Sequence, residues 1–154
     1  MAEFYFGFQI SVHLLDTALK SISILNCNLF LDGTTIHSAL NLGFGNEYPN
    51  LTTEKRQELA KEFVDLQIII CDVFSMIGAD RFHQIHKRLQ EIIISQDAFA
   101  GKAILFVGDI LQLPPVQARP IFSKPQVQDY QLIYNSDLNL WENLEVVTLS
   151  KNFR

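Results

Sequence analysis

Three polar side chains suited to chemistry stand at or just past the carboxyl ends of short apolar runs. They are Asp72, Asp109 and Gln112. The runs themselves, Gln67–Cys71 and Ala103–Val107, are typical of strands buried on both faces of a parallel sheet. Ligands of open α/β folds bind at the carboxyl ends of such strands. A carboxylate there is suited to holding Mg²⁺ through water, although a strand followed by a tight exit loop explains the same pattern.

A histidine–serine pair and a histidine–histidine pair are the other chemical candidates, and both favour structural roles. His37 and Ser38 are adjacent, so on a helix they point about 100° apart and do not form a serine–histidine catalytic pair. His83 and His86 are three residues apart, a spacing that permits a shared metal ion. No third ligand has suitable spacing, and His86 borders an apolar helix face. We therefore interpret this second pair as structural.

Composition predicts one globular domain. The chain has 154 residues, 48% hydrophobic and 19% charged, with a net charge of −5. The negative charge argues against strong general affinity for phosphate backbones, without excluding a groove lined by a few cations. Cys27 and Cys71 make no disulfide framework, and the acidic N-terminus resembles no secretion signal. We expect a nuclear or cytoplasmic protein that is not in a membrane.

Periodicity predicts an α/β fold. The predicted helices are Ser11–Ser23, a short one from Thr34 or Thr35, Thr53–Asp65, Ala79–Ile94 and Asp137–Asn143. Further strands are expected within Ile24–Leu31 and over Glu145–Leu149. Thr34 is the predicted cap of the short helix. Pro114 and Pro115 predict a rigid loop after the second apolar run. Lys87-Arg88 is interpreted as part of a solvated surface.

Three stretches, in order along the chain, resemble motifs of one helicase family. GDILQLPPV at Gly108–Val116 resembles the third motif of the PIF-type (petite integration frequency) DNA helicases, RecD-like members of superfamily one. DGTTIHSAL at Asp32–Leu40 resembles the end of motif Ia, and QIIICDVFSMIG at Gln67–Gly78 the Walker B strand and its turn. The resemblance runs from about Phe30 to Arg154. A phospho-accepting receiver domain also has an aspartate at a strand end, but it would not contain GD-x-x-QLPPV.

The resemblance implies a RecA-like P-loop NTPase core with a mainly parallel sheet, truncated at both ends. Residues 32–154 would be a partial helicase domain running from the end of motif Ia to the start of motif IV. Residues 1–31 would be a divergent segment without Walker A. The implied activity is ATP-dependent 5′-to-3′ DNA unwinding in repair, recombination and telomere maintenance. ATP and Mg²⁺ are the implied cofactors, and single-stranded or forked DNA is the implied partner.

The resemblance also assigns roles to individual residues. Asp72 takes the Mg²⁺ position, Asp109 and Gln112 the nucleotide-sensing positions. Arg154 takes the place of an arginine finger directed to the γ-phosphate. Thr34 and His37 lie beside the single-stranded DNA track, although a capped helix with a partly buried histidine explains them equally well.

Two departures from the family pattern remove catalytic power. G-x-x-x-x-G-K-[ST], whose amides and lysine cradle nucleotide phosphates, is absent, and Gly7 is the only glycine before Gly33. Val73 replaces the glutamate that usually follows the Walker B aspartate, and valine has no proton acceptor. We therefore expect this chain alone to be inactive. The alternatives are one piece of a larger product, or a non-catalytic module that binds DNA or a protein partner.

Overall fold

A five-stranded sheet forms the centre of the protein. The computed structural model describes residues 2–7, 22–25, 34–44, 47–123 and 140–149. The strands are β1 (Ala2–Gly7), β2 (Ile22–Leu25), β3 (Ile68–Asp72), β4 (Ala103–Gly108) and β5 (Leu144–Leu149), in the spatial order β2-β3-β4-β1-β5. β2, β3 and β4 are parallel, and β1 is antiparallel to both β4 and β5. β1 alone therefore runs against the other four strands, and the predicted α/β fold with a mainly parallel sheet is confirmed.

The described residues form three α-helices beside the sheet. They are α1 (Ile36–Ala39), α2 (Thr53–Phe63) and α3 (Ala79–Ile93), with 3₁₀ turns at Phe74–Met76 and Ala98–Gly101. The Thr52 hydroxyl caps α2 by accepting a hydrogen bond from the Lys55 amide at 3.2 Å. The predicted cap of α1 is wrong by one residue, because Thr35 accepts from the Ser38 amide at 3.3 Å. Thr35 has the extended backbone directly before the helix that a cap requires.

The core lies between α3 and one face of the sheet. Phe82, Ile85 and Leu89 of α3 are completely buried, as are Ile104 and Phe106 of β4. The Phe82 ring packs edge-on against Phe106, with 5.4 Å between ring centroids. On the opposite face of the sheet, Ile68 and Leu105 form a second, smaller apolar cluster. Both faces of β3 and β4 are thus covered, as their unbroken apolar runs predict.

Some predicted elements differ from the structure or lie outside the described residues. The helix expected over Ser11–Ser23 cannot extend through Ser23, because Ile22–Leu25 forms β2. Most of its length, and residues 26–31, lie outside the described ranges. Of the helix expected over Asp137–Asn143, residues 140–143 are described and form a turn, closed where the Leu144 amide donates to the Trp141 carbonyl at 3.2 Å.

Candidate functional site at the carboxyl edge of the sheet

An open cleft of about 520 Å³ lies where β3 and β4 end. Parallel pairing places Asp72 beside Val107, so the segments that follow these two strands leave the sheet next to each other. The lining residues are Val73, Met76, Leu111, Gln112, Leu113 and Pro114. The cleft therefore lies where open α/β folds bind ligands.

Val73 follows β3 in a strained conformation and forms part of the cleft wall. Its φ of 53° and ψ of 47° lie in the left-handed region, which a β-branched side chain strongly disfavours. The preceding Asp72 is half-buried, and its Oδ1 accepts a hydrogen bond from the Val73 amide at 2.8 Å. The Met76 amide then donates to the Val73 carbonyl at 3.1 Å, which closes the 3₁₀ turn. An apolar side chain thus occupies the position directly after the strand-end aspartate.

Gly108 allows that turn to pack against the end of β4. A Cβ atom at Gly108 would lie 2.9 Å from Phe74 Cδ1 and 3.1 Å from the Phe74 amide nitrogen. Phe74 is completely buried, so neither atom has room to retreat. The glycine before Asp109 is therefore required by contact with the turn that follows the neighbouring strand.

Asp109 organises the loop that carries Gln112. Its Oδ1 accepts from the Leu111 amide at 2.9 Å, and its carbonyl accepts from the Gln112 amide at 3.0 Å. The hydrogen bond from Leu111 holds the pKa of the Asp109 carboxyl below its usual value. Gln112 is exposed and lines the cleft together with Val73. Of the three strand-end residues predicted from sequence, only Gln112 forms part of the cleft wall.

The remainder of this loop is fixed at several points by residues that follow the two prolines. The Ala79 amide donates to the Arg119 carbonyl at 2.9 Å, and the Arg119 guanidinium lies 3.1 Å from Asp80 Oδ1. Gly78 and Pro120 form an isolated β-bridge. A cavity of about 70 Å³ lies beneath the loop, and the buried Ser75 hydroxyl at its wall has no hydrogen-bond partner among the described residues.

Thr34 and His37, predicted to lie beside DNA, are next to and within α1. Thr34 is exposed, and His37 is half-buried with its ring stacked on Phe44 at 5.6 Å between centroids. Burial, assisted by the charge of Arg81, lowers the pKa of His37 and so favours the neutral ring. Arg154, the predicted arginine finger, lies outside the described residues.

The structural interpretation of His83 and His86 is confirmed by their contacts. His83 Nδ1 lies 2.9 Å from the Ala79 carbonyl, and His86 Nδ1 accepts from the Phe99 amide at 3.0 Å. Both rings are buried. Across the described parts of the chain, no group of three or more His, Cys, Asp or Glu side chains is arranged to hold a metal ion.

Arg88 corrects the prediction that Lys87-Arg88 is a solvated surface. Its side chain is completely buried, with Nη2 donating to the Pro49 carbonyl at 2.6 Å and Nη1 lying 3.2 Å from Glu91 Oε2. The guanidinium carbon lies 4.2 Å from the centroid of the Tyr48 ring. Arg88 is thus a structural cation that attaches the loop before α2 to α3.

The described residues around the cleft supply one candidate Mg²⁺ ligand, Asp72 next to its wall, and no cradle for nucleotide phosphates. Asp72 supplies a carboxylate, but segments 72–78 and 108–121 contain no lysine and no glycine-rich run. β1 does not supply a cradle, because Gly7 at its carboxyl end pairs with Ile104 at the beginning of β4. The chain therefore leaves β1 at the edge opposite Asp72, whereas a phosphate loop must follow a strand at the ligand-binding edge.

A mainly parallel sheet with a candidate ligand cleft at the carboxyl ends of its strands is the architecture of open α/β domains, the class that includes RecA-like domains. Within that class, the sequence profile described as PIF1-like helicase matches residues 15–154. The chain belongs to the PIF1-like helicase family.

Individual relatives agree with this assignment. The ATP-dependent DNA helicase Pif1 of Campylobacter jejuni is 34% identical over 110 residues, which cover 66% of this chain and 23% of the relative. The PIF1 helicase of Emericella nidulans is 29% identical over 99 residues, 62% of this chain and 13% of the relative. The chain thus spans less than a quarter of the length of either relative.

Solved structures show the same fold. Bacteroides Pif1 bound to single-stranded DNA superposes with a TM-score of 0.54 and 25% identity, over 68% of this chain and 26% of that protein. Candida albicans Pif1 gives a TM-score of 0.54 at 22% identity, over 71% of this chain and 27% of that protein. Within the described ranges, no helix has the length and apolar composition needed to cross a bilayer.

Proposed function

We propose that this chain derives from the first RecA-like domain of an ATP-dependent 5′-to-3′ DNA helicase and binds single-stranded DNA without hydrolysing ATP by itself. Unwinding in repair, recombination and telomere maintenance, in the nucleus or cytoplasm, belongs to the intact helicase in this proposal. The observation that carries it is Val73, whose side chain lines the cleft beside Gln112. An attacking water there has no carboxylate from this position to orient it.

Nucleotide use is assigned to specific residues in this proposal. Asp72 is the Mg²⁺ ligand, Asp109 and Gln112 are the nucleotide-sensing residues, and Arg154 is the arginine finger. ATP bound by the intact enzyme supplies the energy for translocation. The orientation of β1 and the composition of the cleft loops argue that this chain does not complete a phosphate cradle alone.

Two measurements test the absence of nucleotide chemistry. Calorimetry with Mg²⁺ and a non-hydrolysable ATP analogue should give no binding heat at millimolar nucleotide, and phosphate release should stay at background with oligo(dT) present. Micromolar, Mg²⁺-dependent binding would contradict the proposal, since it requires a phosphate cradle. An Asp72→Asn variant then identifies the cleft as the site, because it removes the proposed metal ligand.

DNA binding is the proposed remaining activity, with Thr34 and His37 among the contacts. It is supported by family membership and by the single-stranded DNA bound to Bacteroides Pif1. Fluorescence anisotropy with labelled oligo(dT) tests it directly. A wild-type chain that binds no single-stranded DNA at low salt and tens of micromolar protein would refute it.

A second candidate function is docking to a protein partner. Leu111, Leu113 and Val116 are 87%, 72% and 80% exposed on one loop, an apolar surface that favours contact with another protein. A Leu111→Asp, Leu113→Asp double variant should lose association with an intact PIF1-type helicase in analytical ultracentrifugation. This candidate is excluded if the wild-type chain and the double variant, each mixed with the intact helicase, sediment identically.

A further inference from the structure

The ring of Phe44 is unusual because it is exposed to solvent and yet held in place by a neighbouring ring. Its side chain is 84% exposed, although it belongs to one of the largest apolar residue types. One face of the ring stacks on His37, with an interplanar angle of 21° and 5.6 Å between centroids. The two rings form a layered aromatic pair, which we call the Phe44–His37 stack.

The loop that carries Phe44 is held from both sides. Arg81 Nη2 donates to the Gly43 carbonyl at 2.9 Å, and its Nη1 donates to Gln84 Oε1 at 2.6 Å. The Glu47 amide donates to the Phe44 carbonyl at 3.2 Å. A ligand that packs on Phe44 therefore meets a ring already ordered by its neighbours, which reduces the entropy lost on binding.

The charges around the stack favour a flat neutral ligand over a phosphate. Burial and the charge of Arg81 lower the pKa of His37, which favours its neutral form. Arg81 is already hydrogen-bonded to Gly43 and Gln84, and the carboxylate of Glu47 lies beside Gly43. This carboxylate disfavours a phosphate beside Gly43, so a strand that binds here must contact the ring through a base and hold its phosphates away from Glu47.

We infer that the Phe44–His37 stack is a platform on which one unpaired nucleobase of a single-stranded nucleic acid packs. The inference rests on the proposed function, to which it adds the binding residue and the mode of contact. Every base has a π-face, so the platform is tolerant of sequence. Duplex DNA is a poor ligand, because its bases are already stacked and paired.

The inference makes three expectations for binding of a short oligo(dT). Phe44→Leu, which keeps an exposed apolar side chain but removes the ring, should weaken binding roughly 5- to 100-fold, the range of a single stacked base. Phe44→Trp should retain or strengthen it. An abasic oligonucleotide of equal length should bind the wild-type chain as weakly as oligo(dT) binds Phe44→Leu.

A fluorescent base analogue separates stacking from a general loss of structure. 2-Aminopurine within the oligonucleotide should be quenched by the wild-type chain and by Phe44→Trp, but not by Phe44→Leu. Phe122→Leu is the matched control, since Phe122 is 47% exposed elsewhere on the chain and should leave the quenching unchanged. Oligo(U) in place of oligo(dT) shows whether RNA or DNA is the preferred source of the base.

The outcomes distinguish failure of this inference from failure of the proposed DNA binding on which it rests. If the wild-type chain binds oligo(dT) but Phe44→Leu binds equally well, or if the abasic strand binds as tightly as oligo(dT), the platform is refuted and DNA binding stands. If the wild-type chain binds neither strand, the proposed function fails, and the platform fails with it. A loss of affinity in Phe44→Leu with quenching retained would also overturn the inference.

Discussion

His86 offers a direct test of the core, because its buried ring should make stability depend on pH. The ring is 6% exposed, accepts a hydrogen bond from the Phe99 amide at 3.0 Å and packs edge-on against the Phe99 ring. Burial, and then the neighbouring His83, lower the pKa of His86 from 6.5 to about 4. Protonation would place a charge in the core and remove the acceptor for the amide.

The direction of the pH dependence follows from the pKa values of His86 in the unfolded and the folded chain. Between pH 6.5 and about 4 the unfolded chain binds a proton at His86 that the folded chain does not. The free energy of unfolding should therefore fall as the pH is lowered through this window, and this contribution should be constant above pH 6.5. The gap between the two pKa values corresponds to at most about 3 kcal/mol, at 1.36 kcal/mol for each pH unit.

Urea denaturation from pH 4 to pH 8, followed by the fluorescence of Trp141, measures the effect. His86→Asn is the informative variant, because its side-chain oxygen can accept from the Phe99 amide but does not titrate. Carboxylates contribute equally to both chains, so the difference between wild type and variant isolates His86. The difference should change by up to about 3 kcal/mol across the window. Parallel profiles would refute the reasoning.

Substitutions at two further positions, Gly108 and Arg88, test the packing of the protein. Gly108→Ala should cost about 1–3 kcal/mol, because its Cβ would meet the buried Phe74 ring at 2.9 Å. Adding Phe74→Leu should recover part of that loss in a double-mutant cycle, and strictly additive losses would count against the contact. Arg88→Met should stay within about 1 kcal/mol of wild type in thermal denaturation, since the methionine fills the space of the arginine stem, whereas Arg88→Ala should cost about 2–4 kcal/mol. Equal losses in both would show that the charge, and not the packing, is what stabilises the site.

Local patterns were sufficient to predict the elements that form the cleft. β3, β4 and α3 have strong apolar periodicity, and their observed bounds agree with the predictions to within one residue at most ends. α3 ends one residue earlier than predicted, because Ile94 adopts a left-handed conformation with a φ of 58°. Such an end depends on a single backbone angle, which apolar periodicity does not encode.

Non-local contacts explain most of what the sequence did not predict. Ala2–Gly7 is apolar at nearly every position, so its pattern does not reveal a strand between β4 and β5, still less an antiparallel one. Arg88 carries the same local signal as a solvated cation, and its burial depends on Tyr48 and Pro49, about forty positions earlier in the chain. The aromatic stack was missed for a similar reason, since only the backbone of the loop brings Phe44 onto His37.

In the proposed function, Val73 and the direction of β1 are two independent obstacles to ATP hydrolysis, and one variant separates them. Val73→Glu restores a carboxylate at the cleft, and glutamate tolerates the left-handed backbone better than a β-branched residue, so the variant should fold at least as stably as wild type. It should still release no phosphate from ATP, because the chain leaves β1 at the edge of the sheet opposite Asp72. Restoring the base does not restore the phosphate cradle. Val73→Gln controls for side-chain size without a base. DNA-stimulated hydrolysis by Val73→Glu but not by Val73→Gln would show that Val73 was the only obstacle and that β1 does not prevent ATP binding.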